Sequence, residues 1–97
     1  MILHTINKAP GNTAFTECLR LATPDDAILL IGDAVYAALA QTDACTQLLG
    51  TEAELYVLAA DTLTAGISDR IDKHIKVQDF DGFVSLTERF PRQMAWF

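Results

Sequence analysis

The sequence predicts a single α/β domain: a three-layer sandwich around a mostly parallel sheet of four to five strands. Three observations carry this. Strand-like and helix-like patterns alternate along the whole chain, as right-handed β-α-β crossovers require. The run Ala27 to Ile31 is apolar without alternation, so both of its faces are covered, as in a parallel sheet flanked by helices. At 97 residues, 51% of them apolar, the chain has room for one core and no more.

Met1 to Thr5 reads as a short first strand, followed by the loop Asn7-Lys8-Ala9-Pro10-Gly11. Asn12 or Thr13 can cap the first helix by accepting a free backbone N–H. In that helix Phe15, Cys18, Leu19 and Ala22 follow the i, i+3, i+4, i+7 rule and form one inward stripe. Thr23-Pro24-Asp25-Asp26 ends it, and Ala27 to Ile31 is the second strand. Gly32-Asp33 then turns the chain directly into a helix. Asp33 is the expected N-cap, with Val35, Ala38 and Leu39 inward, and a further turn through Cys45, Leu48 and Leu49 extends the pattern to a stop at Gly50.

The pattern continues with Leu55 to Leu58 as a third strand, a short helix Asp61 to Ala65 with Asp61 as its cap, and Gly66 as its stop. Ile75 to Val77 is a fourth strand. Phe80, Phe83, Val84 and Thr87 share the helical spacing of a fourth helix, which Pro91 terminates. Met94 to Phe97 reads as a short fifth strand at a sheet edge.

Composition narrows the function. The formal net charge is −6, and of the seven Lys and Arg only Arg89 and Arg92 approach a cluster. Phosphate-driven contact with nucleic acid needs clustered basic residues, so direct nucleic-acid binding is not expected. No basic stretch precedes an apolar run at the N-terminus, and no segment approaches the ~18 apolar residues of a membrane span. Cys18 and Cys45 are too far apart for a CxxC pair. The expectation is a cytoplasmic, reduced protein without a membrane partner, cofactor or metal.

Leu3-His4-Thr5, then Gly32 to Leu39 (GDAVYAAL), then Asp79 to Thr87 (DFDGFVSLT) and finally Gln93-Met94-Ala95-Trp96 stand in the order and spacing of the DsrH/TusB family, which the chain resembles over essentially its full length. The resemblance implies a DsrE-like fold and a place in a cytoplasmic heterohexamer with two homologous subunits, TusC/TusD-like or DsrF/DsrE-like. It also implies sulfur donor and acceptor proteins as partners. In the TusBCD form the complex relays persulfide sulfur toward 2-thiouridine at the wobble position of tRNA. In the DsrEFH form it serves dissimilatory sulfur oxidation.

Sulfur relay needs a thiolate nucleophile. The resemblance implies that the catalytic sister subunit carries its cysteine where the third strand meets its helix, a turn that falls here at Leu58, which has no thiol. The implied role is a non-catalytic subunit, with no catalytic residue of its own. Cys18 is the rival carrier, as a persulfide. Its place in the inward stripe favours core packing, since free cysteine is among the most buried residue types. Cys45 lies among Thr and Gln and reads as more exposed. Asp33 and Asp61 are expected to cap helices rather than hold a cation, which needs several converging oxygens. His4 and His74 are too isolated for a triad, and His4 reads as a structural hydrogen-bonding residue. Met94, Trp96 and Phe97 are the candidate subunit interface, because Met and large aromatics are enriched at interface cores.

Overall fold

The computed structural model describes residues 1–97, and helical segments separate its successive strands as expected, two of them between the second and third strands. The strands are β1 (Ile2–Ile6), β2 (Ala27–Leu30), β3 (Glu54–Leu58), β4 (Lys76–Gln78) and β5 (Arg92–Trp96). The α-helices are α1 (Thr13–Leu21), α2 (Asp43–Gly50), α3 (Ala59–Ala65) and α4 (Phe80–Arg89), and a 3-10 helix spans Gly32–Ala38. One sheet runs in the order β4-β3-β2-β1-β5, and every adjacent pair is parallel.

That order explains the two layers of helix. The first three crossovers step the same way across the sheet, so right-handed connections put α1, the 3-10 helix, α2 and α3 on one face. The fourth returns past the whole sheet to the far side of β1, which sends α4 to the other face. Burial follows the pleat. Ile28 and Leu30 of β2 join Phe15, Cys18, Val35 and Leu48 in the larger core. Ala27 and Leu29, from the alternate positions, meet Leu3, Tyr56, Leu86 and Phe90 in the smaller one. All four residues of β2 are buried, which is why its sequence shows no alternation.

Several local expectations need correction. Gly32 to Leu49 does not form one helix. The 3-10 helix ends at Ala38, Gln41 takes a left-handed φ of 67°, and a new helix starts where the Thr42 hydroxyl accepts the Cys45 N–H at 3.2 Å. Gly50 is the last residue of α2, not a left-handed stop; Glu52 supplies the positive φ, at 61°. In α4 the inward residues are Phe83, Leu86 and Phe90, while Phe80 and Val84 are exposed. Asp79 caps this helix through the Gly82 N–H at 2.8 Å, which sets the first turn so that Phe80 points outward.

Candidate functional site

In an open parallel sheet, functional groups gather where strands end and helices begin. The junction after β2 begins with Gly32, at φ 52°. A Cβ there would lie 3.5 Å from the Asn7 carbonyl, which follows β1, so the two loops approach closely. The Gly32 N–H donates to Asp61 Oδ2 at 2.7 Å. Asp61 thus does not cap its own helix. It lies in the first turn of α3 and satisfies the first N–H of the neighbouring 3-10 helix. Asp33 is no cap either; the cap positions belong to Ile31 and Leu58, neither of which makes a side-chain capping bond. Asp33 instead sits in the first turn, where its charge complements the helix dipole.

Gly32, Asp33, Tyr36, Asp61, Thr64 and Ala65 line a hollow of about 150 Å³ at this edge. It presents two carboxylates, a phenol and a hydroxyl. No three His, Cys, Asp or Glu side chains converge into a metal cage anywhere in the chain. Leu58 occupies the adjoining strand end as an apolar, half-buried side chain. This edge sits where open parallel sheets place their functional groups, and it lacks the thiol that sulfur relay needs.

Both thiols lie elsewhere, in the core. Cys18 is fully buried in α1. Its thiol is pushed up to about 12, first by burial and then by the negative charge of Asp26. Cys45 is buried too, contrary to the exposure expected of it. It faces inward with Leu48, while its Thr and Gln neighbours turn outward. Burial, then the charge and side chain of Asp72, push its thiol up to about 11. Thiols with such values are almost entirely protonated near neutrality and are poor nucleophiles.

His4 is the structural hydrogen-bonding residue the sequence suggests, with partners that local reading does not supply. It is buried in β1, with Nε2 2.9 Å from Asp26 Oδ2. The Trp96 indole N–H donates to its Nδ1 at 3.0 Å. Asp26 also accepts the N–H groups of Ile2 and Thr23. Burial alone would raise this carboxyl, but the bonds from His4, Thr23 and Ile2 outweigh it and hold Asp26 below the ordinary carboxylate value. Asp26 therefore ties the start of β1 to the end of the α1–β2 turn, and Trp96 ties β5 to both. His74 lies on the surface and contacts Asp72 at 2.9 Å.

The three candidate interface residues separate. Trp96 packs partly against the larger core. Met94 is 42% exposed, on an edge strand whose outer side pairs with nothing in this chain, and Phe97, just past the end of that strand, is 64% exposed.

A family model described as "DsrH like protein" matches residues 8–93. Among curated proteins, "Protein TusB" of Pectobacterium parmentieri is 37% identical over 95 residues, covering 98% of this chain and 100% of that protein. "Protein TusB" of Yersinia pestis (strain Pestoides F) is 36% identical over the same length and coverage. Among solved structures, the ychN protein from E. coli superposes with a TM-score of 0.82 over 97% of each chain at 19% identity, a likeness of fold.

Proposed function

The chain belongs to the DsrH-like protein family, and from that premise we propose that it is a non-catalytic subunit of a sulfurtransferase complex that relays persulfide sulfur toward 2-thiouridine at the tRNA wobble position. The observation that carries the reading is chemical. The sheet edge offers Leu58 and no thiol, while the chain's two cysteines are buried and protonated. The chain contributes surface and scaffold, and a homologous subunit contributes the nucleophile. Relatives named Protein TusB along the whole chain favour the tRNA branch over dissimilatory sulfur oxidation.

The implied assembly is a cytoplasmic heterohexamer with two homologous subunits, TusC/TusD-like, that meets sulfur donor and acceptor proteins. The acidic balance of the chain supports a division of labour in which other subunits hold the nucleic acid. β5 with Met94 and Phe97 is the proposed subunit contact. Deleting the gene and measuring tRNA nucleosides tests this: 2-thiouridine at the wobble position is expected to fall and to return on complementation. Unchanged 2-thiouridine would reject the reading, and a concurrent loss of sulfur oxidation would move the chain to the DsrEFH branch. A persulfide on Cys18 after incubation with a sulfur donor would instead make the chain a carrier.

A further inference from the structure

We propose that His4 is a proton-operated latch on β5: neutral, it holds the Trp96 indole against β1, and protonated, it stays with Asp26 and releases the indole. The argument starts from donor chemistry. An indole N–H can only donate. His4 Nδ1, 3.0 Å from it, must therefore be the unprotonated nitrogen. The ring proton then sits on Nε2 and is donated to Asp26 Oδ2 at 2.9 Å. Both nitrogens are committed, and the ring is 1% exposed, so water does not compete for either.

A second proton can enter only at Nδ1, where it meets the indole N–H. Two donors then face each other and the indole loses its acceptor. The imidazolium keeps its carboxylate partner, so the two ring states differ in which neighbour they hold. His4 Nδ1 is the indole's acceptor; nearby Asn7, whose N–H meets the Trp96 carbonyl at 3.5 Å, carries a buried Oδ1 without a partner, and release requires that it not capture the indole. The amino group of Met1 lies 3.9 Å from Asp26 Oδ1. From α1 the neighbour is the protonated Cys18 thiol, which feels the Asp26 charge. On the same pleat, β2 presents Ile28 and β5 presents Met94, both apolar.

The latch acts on a strand with little else to hold its side chains. β5 pairs only with β1, and its other residues are exposed while Trp96 reaches the core. Releasing the indole loosens the end of β5, which carries Met94 and leads into Phe97. A resulting loss of partner affinity rests on the interface proposed above; the latch itself does not.

Trp96 is the only tryptophan, so the indole resonance and emission come from this side chain alone. The full chain with ¹⁵N-labelled histidine and tryptophan is titrated from neutral pH downward until it unfolds. The neutral His4 ring is expected as the Nε2–H tautomer. As it gains a proton, the indole resonance is expected to move with the same midpoint and emission to shift to the red. His4→Asn offers an acceptor that does not titrate, and its Trp96 signals are expected to stay constant over this range. An Nδ1–H tautomer, a ring that takes no proton before the chain unfolds, or protonation that leaves the Trp96 signals unmoved would overturn the latch. An equal shift in His4→Asn would do the same. Should that variant not fold, the nitrogen shifts of the unmodified chain decide.

Discussion

Asp61 accepts the backbone N–H of Gly32 across 29 residues of sequence. A carboxylate from one strand-to-helix junction thereby completes the neighbouring one, and the two loops that would frame an active site hold each other. Of the two acidic residues at this edge, Asp61 is occupied in structure.

Replacing Asp61 with Ala is expected to lower unfolding free energy by about 1 kcal/mol, the usual cost of a lost helix cap. Asp61→Asn keeps an acceptor and is expected to lose less. Urea denaturation of the two variants checks the order.

The buried thiols set an alkaline limit on stability. An exposed thiol releases its proton near 9.0, whereas the folded chain keeps the Cys45 proton to about 11 and the Cys18 proton to about 12. Above pH 9 the unfolded chain therefore binds fewer protons than the folded one, and stability falls as pH rises. The contribution is complete below 9 and is lost through the folded values. Urea midpoints at increasing alkaline pH are expected to decline, and Cys18→Ala is expected to soften the decline. Iodoacetamide at neutral pH is expected to label neither cysteine until the chain is denatured.

The two faces of α4 are separated by a matched pair of truncations. Leu86→Ala removes a buried side chain of the smaller core, which Leu29 and Tyr56 share, and is expected to cost about 2 to 5 kcal/mol. Val84→Ala, on the exposed face, is expected to change stability by less than about 0.5 kcal/mol. Equal costs would mean that α4 is rotated from the position described.

Met94→Lys and Phe97→Lys place charge on exposed apolar positions in and just after β5. Folding is expected to be unaffected, while recovery with the homologous subunits drops roughly tenfold or more, as for buried interface anchors. Circular dichroism and co-purification separate the two effects.

Much of the fold was legible because it depends on short-range pattern. The unbroken run Ala27 to Ile31 identified a buried parallel strand, and Asn12 and Gly66 marked helix ends through local chemistry, a side-chain acceptor and a left-handed φ of 73°. What was missed depends on distant partners. Phe80, Phe83, Val84 and Thr87 satisfy helical spacing as well as Phe83, Leu86 and Phe90 do; contact with Leu3, Ala27, Leu29 and Tyr56 selects the second set. Asp33 and Asp61 resemble caps locally, and only the approach of two loops shows which N–H Asp61 serves. His4, Asp26 and Trp96 are separated by 22 and 92 residues, so their connection exists only once β5 lies beside β1. Cys45 looked exposed because its sequence neighbours are polar, yet α2 turns them to the other side.

In the proposed role the chain supports sulfur relay without carrying sulfur. The most direct test is complementation of a deletion strain with the full chain in which Cys18 and Cys45 are both alanine, with wobble 2-thiouridine measured in tRNA. The account predicts wild-type 2-thiouridine from a stably accumulated variant. Loss of 2-thiouridine, with the variant folded and assembled at normal levels, would contradict it and assign a sulfur-carrying role to one of these two thiols.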